Sequence, residues 1–362
     1  MISKEQLSEI LKNFNDPDLN TSFSELNFLK SYSINGDKLK IDLFVSDENN
    51  PSLQKLSEEI GKKVISEFPD FSEININFNS GVVEHIDKKK SSVLPGIKNT
   101  IAVASGKGGV GKSTAAVNLA VSLAKLGYKT GIIDADIYGP SIPTMFDIKE
   151  KPKITSVNGK NKLVPVTKYD VEVMSIGFLI EGNNAVVWRG PMASSALKQF
   201  MGEVVWSELD FLIFDMPPGT GDIQLTLSQT IPLTGAIIVT TPQEISLIDA
   251  KKGYSMFEKV NVQTLGIIEN MSYYNLPDGS IDYIFGKDGG KNMCDELGIP
   301  LLGQIPINKK IREGGDLGKP VSIFEPDSLE AKIYSEIAKR TVNLINQRNI
   351  KSNKSPGLEI KL

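Results

Sequence analysis

Eight consecutive residues, Gly106, Lys107, Gly108, Gly109, Val110, Gly111, Lys112 and Ser113, carry the strongest chemical signal in the chain. They follow an apolar run, Ile101 to Ser105, and precede a helical pattern, Ser113 to Lys125. The spacing therefore predicts a strand, a phosphate-binding loop and a helix in succession. Glycines let backbone amides turn toward one centre and hold phosphate oxygens, and the helix N-terminus adds partial positive charge. In that setting Lys112 is expected against the β- and γ-phosphates of a nucleotide, with the Ser113 hydroxyl on Mg2+.

Phosphoryl transfer also needs a metal holder and a positioned water. Two acidic loops stand at strand ends where such groups belong. Asp134 and Asp136 open the first, and Asp215 opens the second, which runs through Pro217, Pro218 and Gly219 to Asp222. Asp215, after the apolar run Phe211 to Phe214, fits a carboxylate that orients Mg2+ through its waters, and Gly219 is placed to offer an amide to the γ-phosphate. Any one of these aspartates is also what simply caps a strand. Asn270 closes the run Leu265 to Glu269, and Pro306 follows the run Leu301 to Ile305. An amide side chain can both donate to and accept from an adenine edge.

The elements that position these residues read as α/β. From Thr100 onward short β-rich runs (101–105, 130–134, 211–215, 236–240, 265–269 and 301–305) alternate with helical patterns that include Ser328 to Ile345. Near-continuous apolar strands between helices predict a mostly parallel sheet covered on both faces, with ligands beyond the carboxyl ends of the strands. The first 80 residues differ. Leu7, Ile10 and Leu11 recur at helical spacing, Lys38 to Val45 and Ile74 to Phe78 alternate like half-buried strands, and Leu53, Leu56, Ile60 and Val64 mark another helix. The expected organisation is a small α+β domain over 1–80, a linker over 81–98, the nucleotide-binding domain over 99–348 and a disordered tail over 349–362.

Composition narrows the function. Forty basic against 44 acidic residues give a net charge of −4, and the longest basic block is Lys88-Lys89-Lys90, so a nucleic-acid partner is not expected. One cysteine, Cys294, excludes an intrachain disulfide, and one histidine excludes a histidine cluster. No uninterrupted 18-residue apolar stretch is present, and Met1 to Asp18 lacks the pattern of a secretory signal, so a cytoplasmic protein without a membrane partner is expected.

The blocks Gly106 to Thr114, Asp134 to Ser141, Trp188 to Met192, Asp215 to Asp222 and Glu269 to Ser272 together resemble the Mrp/ApbC family. Its members are deviant Walker A P-loop ATPases of the MinD/ParA superfamily that carry iron–sulfur clusters. The resemblance spans about residues 95–345. The first 80 residues, with Asp16-Pro17-Asp18-Leu19, are similar to the iron–sulfur-assembly-type small domain ahead of many bacterial members. It implies a P-loop NTPase fold, ATP and Mg2+ as ligands held by Gly106 to Thr114, and slow hydrolysis of ATP to ADP and phosphate. It further implies that Lys107 reaches the nucleotide of a second subunit in a homodimer, as an arginine finger does. Asp136 would then orient the attacking water, Asp134 support the metal shell, and Asn270 and Pro306 meet the base. Apo iron–sulfur proteins or assembly factors are the implied clients.

One departure bears on the cargo. Cluster-binding members carry a Cys-x-x-Cys pair just after the Glu-Asn-Met-Ser block, and two subunits supply four thiolates. Here Leu276 and Gly279 occupy those positions. Cys294, in a helical stretch before the last strand, reads as a small apolar core residue, and a dimer offers two cysteines where a [4Fe–4S] cluster takes four. Three functions follow: an ATP-gated iron–sulfur carrier or assembly factor, a cluster-free dimerising ATPase switch acting on a partner, and a MinD/ParA-like positioning ATPase. The polar tail and the acidic net charge speak against the third.

Overall fold

A computed structural model describes residues 2–86, 93–137, 139–157, 159–178, 195, 197 and 201–354. The chain divides into two compact units, Met1–Glu84 with Val342–Leu362, and His85–Thr341. The Trp188 to Met192 block, the Lys88 to Lys90 run and the last eight residues of the expected tail lie outside the described residues.

The smaller unit begins with α1 (Lys4–Leu11), set by a capping box. Ser3 Oγ accepts the Gln6 N–H at 3.2 Å and Gln6 Oε1 accepts the Ser3 N–H at 2.9 Å, satisfying donors that a helix start leaves open. Its three-stranded sheet comprises β1 (Leu29–Asn35), β2 (Lys38–Val45) and β3 (Glu73–Ser80), in that order. β1 and β2 are antiparallel; β3 returns parallel to β2 after α2 (Leu53–Glu67). Leu39, Ile41, Leu43 and Val45 alternate into a core shared with Leu7, Ile10, Ile60 and Val64. Asp16 is wholly buried, and its carboxylate accepts N–H groups from Asp18, Leu19 and Ser46 at 3.0, 2.9 and 2.8 Å. Its work is to tie the loop to the sheet.

Residues 81–84, read as linker, are held in this unit by an asparagine ladder. Asn346 Oδ1 accepts the Val83 N–H at 2.8 Å and its Nδ2 donates to Gly81 O at 3.2 Å. Asn349 Nδ2 donates to Val83 O at 2.7 Å and Asn353 Nδ2 to Glu84 O at 3.0 Å. The last helix accordingly runs to Lys354, past the expected tail boundary at 349. Spacings of three and four place the three amides on one helix face.

The larger unit is built on an eight-stranded sheet. Its strands are β4 (Ile97–Ala104), β5 (Thr130–Asp134), β6 (Val166–Lys168), β7 (Val171–Ser175), β8 (Leu209–Asp215), β9 (Gly235–Thr240), β10 (Thr264–Glu269) and β11 (Leu301–Gln304). Their order is β6-β7-β5-β8-β4-β9-β10-β11, and every pair is parallel except β6 with β7. β5, β9 and β10 are buried at every residue, so both faces are covered, as a parallel sheet requires. Among the described residues its helices of nine residues or more are α3 (Lys112–Lys125), α4 (Asp222–Thr230), α5 (Glu244–Lys259), α6 (Gly289–Leu297) and α7 (Leu329–Lys354), the last continuing into the smaller unit. Among the described residues no helix is long and apolar enough to cross a membrane.

Candidate functional site

The sheet register brings the acidic residues together. Asp215 at the end of β8 lies beside Asp134 at the end of β5, and Ser175 at the end of β7 lies beside Asp134 on its other side. The phosphate loop leaves β4, which pairs with β8 on the far side of Asp215.

Two glycines of the loop are fixed by close approach. A Cβ on Gly106 would stand 2.2 Å from the Asp249 carbonyl, and one on Gly111 would stand 2.1 Å from Asn270 Nδ2. Gly108 and Gly109 face open space, where a phosphate has room. Gly111 serves as N-cap of α3, which starts at Lys112 as a phosphate-binding helix should.

Lys112 and Ser113, expected at the phosphates and at Mg2+, meet the acidic loops. Lys112 Nζ donates to Asp215 Oδ1 at 2.5 Å and to Ser113 Oγ at 3.2 Å, and lies 3.8 Å from Asp136 Oδ2. The Lys112 side chain is 7% exposed and that of Asp215 0%, so this ion pair is made in a low-dielectric setting. Burial pushes the Asp215 carboxyl up, while Lys112 and the Ser113 hydroxyl pull it back. Its second oxygen, Oδ2, is buried and, among the described residues, has no hydrogen-bond partner. Asp136 Oδ1 accepts the Gly139 N–H at 3.3 Å, which leaves Oδ2 toward Lys112.

Asp134, expected to support the metal shell, has both carboxylate oxygens hydrogen-bonded within the protein. Oδ1 accepts the Asp136 N–H at 3.2 Å, and Oδ2 accepts the Ile142 N–H and the Ser175 hydroxyl, both at 3.1 Å. Both oxygens are thus engaged in shaping the loop that presents Asp136. Burial, and then the neighbouring Asp215 charge, raise its carboxyl to about 7. Ser175 is a functional contributor that the sequence reading missed.

Gly219, expected to offer its amide to the γ-phosphate, has that amide on a backbone carbonyl here. Its N–H donates to Ser105 O at 2.9 Å, so in this conformation the amide faces the loop backbone rather than a phosphate. Asn270 is likewise engaged, its Nδ2 donating to Val110 O at 2.9 Å. Pro306 is buried beyond the end of β11, and Ile305 N–H donates to Glu269 O at 2.9 Å, which brings the two strand ends side by side. The Thr114 carbonyl accepts from Asn118 Nδ2 at 2.9 Å. Lys107 is half-buried and, among the described residues, its ammonium makes no hydrogen bond or ion pair.

The segment that replaces the cysteine pair is a short hairpin. Tyr274–Asn275 pairs antiparallel with Ile281–Asp282, the Leu276 N–H donates to Ser280 O, and Gly279 turns the chain at φ +86°. Below it Glu269 is wholly buried, accepting from Ser272 Oγ at 2.5 Å, from Gln304 Nε2 at 2.8 Å and from the Gly290 N–H. Cys294 is buried on α6, where burial first, and then Asp295 and Glu269, push its thiol up to about 12. Among the described residues no group of three or more His, Cys, Asp or Glu side chains is arranged to hold a metal by itself.

A parallel sheet with a glycine loop, its lysine and two strand-end carboxylates at one point defines a nucleotide-binding P-loop NTPase. Residues 96–342 match the ParA family described as the NUBPL iron-transfer P-loop NTPase, and the chain belongs to that family. An iron-sulfur cluster carrier protein of Synechocystis is 39% identical over 350 residues, covering 96% of this chain and 99% of that protein. One from Escherichia coli K12 is 44% identical over 331 residues, covering 91% and 89%. Among solved structures, a nucleotide-binding protein from Archaeoglobus fulgidus in complex with ADP has 38% identity and a TM-score of 0.58, covering 67% of this chain and 94% of that one.

Proposed function

We propose that the chain is an ATP-hydrolysing iron–sulfur cluster carrier or assembly factor that works as a nucleotide-gated homodimer. The observation that carries this reading is the meeting of Lys112, Asp136 and Asp215 at the mouth of an open phosphate loop. The relatives named as cluster carriers support the cargo, because they align over nearly the whole chain.

In this reading the γ-phosphate draws Lys112 off Asp215, exchanging one anion for another. The residues fit Mg2+. A buried carboxylate oxygen without a partner, Asp215 Oδ2, next to the Ser113 hydroxyl offers the hard oxygen donors that this cation takes. When bound with the nucleotide, Mg2+ offsets phosphate charge. Asp136, held by the Gly139 amide, keeps one oxygen for the attacking water. Gly219 releases Ser105 O to turn its amide to the phosphate. Asn270, already at the strand end beside Pro306, exchanges Val110 O for the base. Lys107, whose ammonium has no hydrogen-bond or ion-pair partner among the described residues, supplies the second positive charge to the other subunit's nucleotide.

A second reading, a cluster-free ATPase switch acting on client proteins, is favoured by the hairpin that carries Leu276 and Gly279 and by the buried, protonated Cys294 thiol. One experiment tests both. The protein is reconstituted anaerobically with iron and sulfide, beside Cys294→Ala, and assayed for bound cluster, ATP hydrolysis and ATP-dependent cluster delivery to an apo iron–sulfur protein. Delivery that requires ATP supports the carrier. Intact hydrolysis with no cluster in either protein selects the switch, and no hydrolysis at any protein concentration overturns both.

A further inference from the structure

Gln224 is 2% exposed, and among the described residues neither atom of its amide, Oε1 or Nε2, has a hydrogen-bond partner. An amide side chain carries both donors and an acceptor, and burying them unmatched destabilises the state that does so. An apolar side chain of the same length would fill the position without that cost. Folded proteins pair the large majority of their buried polar side-chain atoms, so this exception calls for a partner that another state of the molecule supplies.

The place of Gln224 in the fold points to that partner. α4 follows directly on the loop that runs from Asp215 through Gly219, and its N-cap is Gly221, extended at φ −79° and ψ −177° and without a side-chain hydrogen bond to the helix start. Gln224 is then the third residue of the helix proper, from which a glutamine side chain can reach back to accept the N–H of the N-cap. This chain makes that bond elsewhere. In α1, Gln6 stands third after the N-cap Ser3 and accepts its N–H at 2.9 Å. At α4 the corresponding bond, from Gly221 N–H to Gln224 Oε1, is not made. Two residues before this N-cap, the Gly219 N–H is held on Ser105 O at 2.9 Å. A Cβ on Gly219 or on Gly221 would meet nothing within 4 Å, so the loop has room to shift. Ile223, between the cap and the glutamine, packs on Ile137 and Ile176, which follow Asp136 and Ser175, so the start of α4 is anchored at the nucleotide site.

We propose that Gln224 is a positioning residue of the nucleotide site: its Oε1 accepts the Gly221 N–H when the Gly219 amide leaves Ser105 O for the γ-phosphate, and so latches the loop in its ATP-bound form. The inference rests on the ATPase reading above and adds to it the residue that holds the loop closed. ADP has no γ-phosphate to draw Gly219 away, so it leaves the latch open. The unmatched amide destabilises the nucleotide-free protein, and the closed loop recovers that loss only with ATP bound.

The test compares the full chain with Gln224→Met, which keeps the length of the side chain without its amide. Both are followed by thermal melting, by titration with ADP and with the non-hydrolysable β,γ-imido analogue of ATP, and by steady-state ATP hydrolysis. Without nucleotide, Gln224→Met is expected to melt at or above the temperature of the unaltered protein. It is expected to bind ADP equally well, to bind the analogue more weakly and to show a kcat lower by about tenfold or more. Gly221→Pro removes the N–H at a φ that proline adopts, and it is expected to lower kcat likewise, with the double variant no slower than the slower single one. A lower melting temperature in Gln224→Met means that the amide already has a partner without nucleotide, and it overturns the proposal. Unchanged kcat and analogue affinity, or additive losses in the double variant, overturn it too. Absence of hydrolysis in the unaltered protein is a different result, which overturns the ATPase reading and the latch with it.

Discussion

Lys112 Nζ donates to Asp215 Oδ1 at 2.5 Å, while Oδ2 of the same carboxylate is buried with no hydrogen-bond partner among the described residues. The lysine that is to face phosphate therefore neutralises the carboxylate that is to face the metal. Lys112→Ala removes the one cation that, among the described residues, lies within reach of three clustered carboxylates, Asp134, Asp136 and Asp215. Breaking a buried pair from one side costs about 3–5 kcal/mol. The variant is expected to lose ATP hydrolysis by about 100-fold or more and to melt at lower temperature. The deficit is expected to be larger at pH 8 than at pH 5, because acid lets the abandoned carboxylates take protons. Melting curves at the two pH values check this.

Lys107→Ala separates binding from turnover. Its ammonium contacts nothing among the described residues, so removing it leaves the cradle intact. Nucleotide affinity is expected to remain within about twofold, whereas turnover falls by a factor on the order of 10² to 10³, the range for losing one charge-stabilising donor. In the unaltered protein turnover is expected to rise with protein concentration. Wild-type turnover in the variant would falsify the role across the dimer.

The raised carboxyl of Asp134 gives the nucleotide-free protein a pH signature. Its folded value is about 7 against the ordinary aspartate value of 3.8, so between those limits the folded state holds a proton that the unfolded state has released. Stability follows the difference in bound protons, and it therefore falls as pH rises from about 4 to about 7, then levels. Asp134→Asn, which removes the charge but sets an NH2 group where one oxygen accepts a backbone N–H, is expected to flatten that slope from a lower overall stability. Thermal melts across pH 4.5 to 8 measure it, and a slope unchanged by the substitution assigns the effect to another group.

What the sequence made legible divides by range. The glycine loop, Lys112 and Ser113 are one contiguous stretch flanked by a strand and a helix, so local spacing was enough. Asp134 and Asp215 could be placed at strand ends because apolar runs stop there, and a parallel sheet then puts them side by side. Ser175 was hidden because β7 follows exposed, polar strands whose pattern resembles loop. The ladder from Asn346 to Val83 joins residues 263 apart, and asparagines on a polar helix end look like a solvated tail. Gly219 and Asn270, expected at a nucleotide, donate in this conformation to the backbone carbonyls of Ser105 and Val110. Motif spacing gives position; it does not give the bond a donor makes before its ligand arrives.

Asn270 gives the sharpest test of that last point. Its Nδ2 bond to Val110 O and the 2.1 Å approach to the Cβ position of Gly111 make the amide a brace for the loop as well as a base contact in waiting. Asn270→Ala leaves the Val110 carbonyl unpaired, at about 1–3 kcal/mol if it stays buried. If Asn270 serves only the base, ATP affinity falls while inorganic triphosphate binds as before. If it braces the loop as the structure shows, both affinities fall and apo stability falls with them. Competition titrations with ATP and triphosphate, set beside a melting curve, separate the two, and the bond to Val110 leads us to expect the second result.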